Sequence, residues 1–263
     1  MIFRILIIGF LLVSCSETYK KPNYIKFNLT TDSIFVTSQN KNVSPIFIKI
    51  VDRAAKEQFI DIDKKSEKIL LKFNKSVVDT NYILEHYKFY GYYGISNLKS
   101  YDTLYNYQLP FLKGKRYRVL QGNFGSFSHY KITSKYALDF KMNIGQEVCA
   151  VRDAIVVDVK NHFEKNGTSK KYLNKANIVF AMHNDGTYVQ YAHFKKNGVL
   201  VSKGDSIKKG QIFGYSGNTG FSSEPHLHFT IYKPTKNGLV SIPFTLNGVP
   251  SVNYKKGMYA KNN

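Results

Sequence analysis

Cysteine is nearly missing from this 263-residue chain: Cys15 and Cys149 are the only two, too few for a disulfide framework. Acidic residues are also scarce, with 18 Asp and Glu against 38 Lys and Arg, a formal net charge of +20. Such an excess attracts anionic wall polymers, phospholipid head groups or nucleic acid. The lysines are scattered through every segment and form no basic helix, arm or nucleic-acid module, so the reading is a solvated basic surface with no nucleic-acid partner. No His-Glu-x-x-His helix is present, which excludes the thermolysin arrangement. Gly214-Tyr215-Ser216-Gly217-Asn218 lacks the last glycine of a nucleophile elbow, and Gly214 to Gly220 lacks the Lys-Ser/Thr of a phosphate loop. Both stretches read as turns. There is no internal repeat and no coiled coil.

At 43% hydrophobic composition the chain can bury a substantial core, and its length fits two small domains. Met1 to Ser14 is an apolar run behind Arg4, too short for a permanent bilayer span but suited to a signal-peptide core. It ends in Leu12-Val13-Ser14-Cys15, which resembles a bacterial lipobox, and residues 1–15 are therefore expected to be a lipoprotein signal with Cys15 as the lipidated residue. That implies export and a membrane anchor on the periplasmic or cell-envelope side. Cys149, within Glu147-Val148-Cys149-Ala150-Val151, reads as a small apolar core residue.

Short alternating runs dominate residues 21–120, as in Ile25/Phe27/Leu29, Ile46/Ile48/Ile50 and Ile69/Leu71/Phe73, and a period of two means strands. Ile83 to Tyr93 is aromatic and is expected to be extended too. The fold class is therefore mainly β: a small β-sandwich-like domain over 21–120, then an antiparallel β-sheet domain over 121–254, then a frayed tail over 255–263. The second domain has candidate strands at Tyr136–Phe140, Glu147–Val151, Ile155–Lys160, Ile178–Met182, Tyr188–His193 and His226–Tyr232. The polar segment between Asn161 and Asn177 is long enough for a functional loop and is expected to wall a groove.

Histidine carries the chemistry. On a strand, His226 and His228 project from one face while Leu227 points to the other. Two adjacent imidazoles need a reason, and a metal ion supplies one. Asp139, flanked by apolar strand residues, would be awkward unless paired or metal-bound. His129 lies in a glycine- and serine-rich loop upstream of Asp139, and His193 ends the strand holding Tyr191. Alone, each reads as an ordinary histidine; beside His226-Leu227-His228 they read as parts of one centre. His183 and His162 read as surface residues.

From Gly122 to Lys233 the chain resembles the lysostaphin/LytM-type zinc endopeptidases. The resemblance rests on the Asp185-Gly186 turn, Tyr191-x-His193, Gly204 through Gly210-Gln211-x-x-Gly214-Tyr215-Ser216-Gly217-Asn218-Thr219-Gly220, and Pro225-His226-Leu227-His228-Phe229. It implies one Zn²⁺ ion, with Asp139 and His228 as ligands and His193 and His226 as catalytic residues flanking a water, base and acid unassigned between them. The substrate it implies is a peptidoglycan peptide. One position departs from the pattern: Lys135 stands where the family's first histidine ligand falls, four residues before Asp139. Either an inserted loop delivers His129 instead, which is the expectation, or two ligands remain and the chain is an inactive envelope protein that binds peptidoglycan or regulates another hydrolase.

Overall fold

A computed structural model describes residues 25–263, so the signal segment and Cys15 lie outside the described residues. The chain is mainly β and forms two compact units. The first comprises residues 25–98 with Pro234–Leu239. It holds two three-stranded antiparallel sheets: Ile25–Leu29, Ser33–Gln39 and Glu67–Asn74 in one, and Glu57–Ile62, Ile46–Asp52 and Tyr87–Tyr93 in the other. Ile46, Ile48 and Ile50 are buried as their alternation requires, but Phe47 between them is buried too, and the other two runs depart from the pattern: Leu29 and Ile69 are exposed, while Leu70 is buried.

The extended reading of Ile83 to Tyr93 is only half right. Thr80–His86 is an α-helix, and the strand begins at Tyr87. Asp79 caps the helix by accepting the Tyr82 amide at 2.8 Å, and the Tyr82 and His86 rings, one turn apart, stack with centroids 3.8 Å apart.

The second unit comprises residues 99–233 and 240–263. Its main sheet runs, strand by strand, Ser206–Ile207, Ala154–Lys160, Ile178–Met182, Tyr188–Ala192, Leu227–Thr235, Leu138–Phe140, Arg116–Gln121 and Tyr259–Lys261. Every adjacent pair along it is antiparallel. A smaller sheet of Glu147–Cys149, Ile212–Ser216 and Phe194–Val199 lies in the same unit. Val148, Phe194 and Phe213 from the small sheet and Val189, Tyr191, Leu227 and Phe229 from the large one share a single apolar core. Cys149 is buried beside them, and burial raises its thiol to a pKa of about 11, so it stays protonated and inert.

Two boundaries differ from expectation. The units divide at Leu98, not at residue 120, because Arg116–Gln121 is the sheet neighbour of Leu138–Phe140. The tail does not fray: Tyr259–Lys261 pairs with Arg116–Gln121, and Ala260 and Asn262 are buried.

Candidate metal centre

The site is built on the central strands of the main sheet. His228 on Leu227–Thr235 stands directly opposite Asp139 on Leu138–Phe140, while Leu227 and Phe229 turn into the core. On the other side of Asp139, a register shift between Val119 and Gln121 breaks the regular pairing and brings Gln121 opposite Asp139. A row of Gln121, Asp139 and His228 therefore crosses three strands.

His129 completes the cluster. The loop that carries it is closed by the Phe124 amide donating to the Lys135 carbonyl at 2.7 Å and the His129 amide donating to the Gly125 carbonyl at 2.9 Å. Its ring is fully buried, not the solvated loop histidine it resembles in isolation. The extra residues between His129 and Asp139 form this loop, and the Lys135 ammonium lies over the Tyr136 ring, 5.2 Å from its centroid.

The ligand-capable atoms of His129, Asp139 and His228 all lie within 4.8 Å of one another. His129 Nε2 is 3.3 Å from Asp139 Oδ2, and His228 Nδ1 is 2.9 Å from Asp139 Oδ1. His129 Nδ1 donates to the Gly122 carbonyl at 2.9 Å, which leaves Nε2 with a lone pair. That Nε2 is buried with no hydrogen-bond partner. A lone pair facing a carboxylate in a buried site is repulsive unless a proton or a metal cation lies between them. Thr230 Oγ1 lies 3.1 Å from His228 Nε2, placed to accept its proton when Nδ1 is a ligand. Two imidazoles and a carboxylate with these orientations fit a zinc ion.

The electrostatics agree. Burial alone would raise the Asp139 carboxyl, but His129 and His226 hold it well below the usual carboxylate range. Burial, the largest single influence, lowers His129, but the Asp139 carboxylate and the Gly122 and Ala137 backbone together outweigh it and the net direction is up. Burial is also the main reason His228 is lowered.

His193 and His226 border this cluster, with ring centroids 4.5 Å apart. His193 ends its strand with φ +73°, a left-handed conformation that costs a non-glycine residue about 1–3 kcal/mol. Its amide is held by the Asn177 carbonyl at 2.9 Å, and its Nδ1 donates to the Thr219 carbonyl at 2.6 Å. His226 Nδ1 donates to the Glu224 carbonyl at 2.8 Å. In the neutral tautomer that these bonds select, each ring carries its lone pair on Nε2. Burial, then the neighbouring His226 and His228, lowers His193 well below an ordinary histidine.

A groove of about 580 Å³ opens over these residues, lined by Asp139, His193, His226 and His228. Its walls are the Gly122–Ser128 loop and the Phe221–Glu224 segment, not the 161–177 segment expected from sequence. That segment supports from behind instead: Asn166–Gly167 pairs with Gly220–Phe221, and Asn177 braces His193. The Phe127 and Phe221 rings stack at 5.5 Å, joining the two walls. His162 is exposed as expected; His183 is buried, its Nδ1 donating to Thr187 Oγ1 at 2.9 Å.

Sequence reasoning missed the supporting partners Gln121, Thr219 and Thr230. Thr230 had a signal, since it follows His228 by two residues on the same strand face. Gln121 had none, because a local break in strand pairing delivers it.

The β-fold thus sets a carboxylate and three histidines in the lining of a groove, with a fourth histidine buried beside them, as a candidate metal centre. Residues 133–241 match the family model described as peptidase family M23, and the C-terminal unit carries an M23 domain of the lysostaphin/LytM type, a zinc-dependent family. His129 precedes the matched span.

Among curated relatives, the glycyl-glycine endopeptidase ALE-1 of Staphylococcus capitis is 42% identical over 95 residues, 36% of this chain and 23% of the relative. The peptidoglycan DD-endopeptidase ShyA of Vibrio cholerae is 29% identical over 163 residues, 60% of this chain and 33% of the relative. The chain thus spans a third or less of the length of these two. The lysostaphin catalytic domain of Staphylococcus simulans superposes with 30% identity and a TM-score of 0.32, covering 58% of this chain and 89% of that one.

Proposed function

We propose that this chain is a zinc-dependent endopeptidase that hydrolyses peptide bonds in peptidoglycan cross-links or stem peptides. The convergence of His129, Asp139 and His228, with His129 Nε2 buried against the Asp139 carboxylate without a hydrogen bond, is the observation that carries this reading. The relatives named as peptidoglycan or glycyl-glycine endopeptidases support the substrate class.

Zinc held by His129, Asp139 and His228 would supply Lewis acidity, lowering the pKa of a water and polarising the scissile carbonyl. The remaining work falls to the chain's own groups. His193 and His226 present Nε2 lone pairs beside the cluster, so each can accept a hydrogen bond from the attacking water, and His226 can take its proton. Asp139 Oδ1 lies 3.8 Å from His226 Nε2, so a proton taken up there during the reaction faces a carboxylate. His193, held neutral by burial, orients the water as a hydrogen-bond acceptor. His226 then returns its proton to the leaving amine. The stacked Phe127 and Phe221 give the groove an apolar wall on one side.

The alternative, an inactive envelope protein, drew on Lys135. The position of His129 favours the enzyme, because a third ligand is supplied without the expected spacing. Sequence also supports export and anchoring through lipidated Cys15, which Cys15→Ser would abolish in a membrane-fractionation assay.

The test is zinc stoichiometry together with muropeptide release from purified sacculi. One zinc per chain and hydrolysis lost on chelation are expected. A protein that takes up no zinc and releases nothing would return the reading to the inactive alternative.

A further inference from the structure

Besides its histidines, the groove presents Arg118, Lys255 and Lys256. The lining carboxylates do not neutralise them. Asp139 is enclosed by His129, His226, His228 and Gln121, and Glu224 is paired with Lys141 at 3.0 Å. Among the described residues no salt bridge engages Arg118, Lys255 or Lys256. All three are exposed.

These cations are held by structured backbone. Arg118 sits on the Arg116–Gln121 strand, next to the Leu138–Phe140 strand that carries Asp139. Lys255 and Lys256 lie in a turn closed by the Met258 amide donating to the Lys255 carbonyl at 3.1 Å. That turn is clamped to the same strand, with the Gly257 amide on the Val119 carbonyl at 2.9 Å and the Val119 amide on the Met258 carbonyl at 2.8 Å. Gly122 packs so closely that a Cβ there would fall 2.3 Å from the Tyr254 carbonyl oxygen. The turn before the tail strand thus places two lysines at the groove.

We infer that Arg118, Lys255 and Lys256 form a carboxylate-binding subsite, so that the groove selects peptides bearing a free carboxylate near the cleaved bond over uncharged ones such as oligoglycine. The inference rests on the endopeptidase reading and specifies its substrate. Charges at a groove wall interact more strongly than in open water, and a guanidinium can clasp a carboxylate with two parallel hydrogen bonds. An anionic wall polymer is the other candidate occupant. The substrate itself is favoured because the cations line the same groove as His193 and His226.

The experiment compares matched peptides that differ only in a carboxylate or a carboxamide beside the scissile bond, with pentaglycine as a third substrate. The zinc-loaded full chain is used, alongside the triple variant Arg118→Gln, Lys255→Gln, Lys256→Gln. The acid peptide should show kcat/KM about tenfold or more above the amide, mostly through KM. The preference should shrink at about 0.5 M salt, where the screening length is only about 4 Å. In the triple variant it should fall to about twofold or less. If that variant misfolds, Arg118→Gln alone should still lower the preference.

Equal kcat/KM for acid and amide, or a preference that survives the substitutions, overturns the subsite while leaving the endopeptidase reading intact. If no peptide is cleaved, that reading fails, and fluorescence anisotropy of the same peptides then decides the subsite by itself. Equal affinity of acid and amide for wild-type protein overturns it, as does tight binding of a phosphodiester polymer without acid-over-amide discrimination.

Discussion

Asp139 and His228 face one another directly across two antiparallel strands, with Asp139 Oδ1 2.9 Å from His228 Nδ1. Because sheet register sets this pair, its geometry is fixed before any metal arrives, which is what a rigid ligand set requires. His193 belongs to a different layer of function: its Nδ1 is committed to the Thr219 carbonyl at 2.6 Å, and it is not in the ligand trio.

The two histidines should therefore separate in mutagenesis. His228→Ala is expected to lose zinc and all measurable hydrolysis. His193→Ala should retain most of its zinc while kcat falls by about 10²–10⁴. Zinc per chain by atomic emission, set beside initial rates of muropeptide release, reads both. Equal zinc loss in the two variants would remove the distinction between ligand and catalytic histidine.

Gln121 ties the His129 loop to the metal carboxylate. Its Nε2 donates to Asp139 Oδ2 at 3.1 Å and to Ser128 Oγ at 2.7 Å, and its Oε1 accepts the Phe127 amide at 3.1 Å. Gln121→Leu keeps the volume but removes every one of these bonds. Zinc affinity should fall by about 10–100-fold, the usual cost of losing a partner that orients a ligand. Competition with a chromophoric chelator measures this without any activity assay, and an unchanged affinity would show that the loop holds Asp139 by itself.

What could be read from sequence follows physical range. Alternation in Ile46/Ile48/Ile50 and the shared face of His226 and His228 are local, so the β class and the imidazole pair were legible. The burial of His129 depends on a loop folding back onto Gly122, and no local pattern encodes that. The strand at Tyr259–Lys261 looks like a polar tail because only Ala260 of its three residues is buried; its pairing with Arg116–Gln121 is remote in sequence. Thr80–His86 misleads in another way: its apolar and aromatic residues favour strands locally, but the Asp79 cap and the buried Ile83 make it a helix.

Gly220 tests how His193 is held. Its φ of +84° is left-handed, and a Cβ would lie 2.6 Å from the Ala176 backbone nitrogen. The preceding residue is Thr219, whose carbonyl orients His193. Gly220→Ala should destabilise the domain by about 1–3 kcal/mol and lower kcat while zinc remains bound. Urea titration and zinc analysis of the same preparation check this; a variant with wild-type kcat would mean that Thr219 does not position the imidazole.

His183 makes the fold sensitive to acid at a point remote from the metal ligands in sequence. Its Nδ1–H is used on Thr187 Oγ1, whose own proton goes to Asp185 at 2.7 Å, and its buried Nε2 has no partner. Burial, reinforced by the Arg152 charge and opposed by Asp185, lowers its pKa to about 3. In the unfolded chain the same group titrates near 6.5. Between those values the unfolded state binds a proton that the folded state refuses, so stability falls as pH drops below about 6.5. At pH 5 the loss from this one group is about 2 kcal/mol. His183→Asn, which can keep the short contact to Thr187, should be less stable at pH 7 through the space it leaves. Its unfolding free energy should nevertheless change less between pH 7 and pH 5 than the wild type's, by about that amount. Parallel urea titrations at the two pH values give the comparison, and identical pH dependence in both proteins would show that His183 takes up its proton without unfolding.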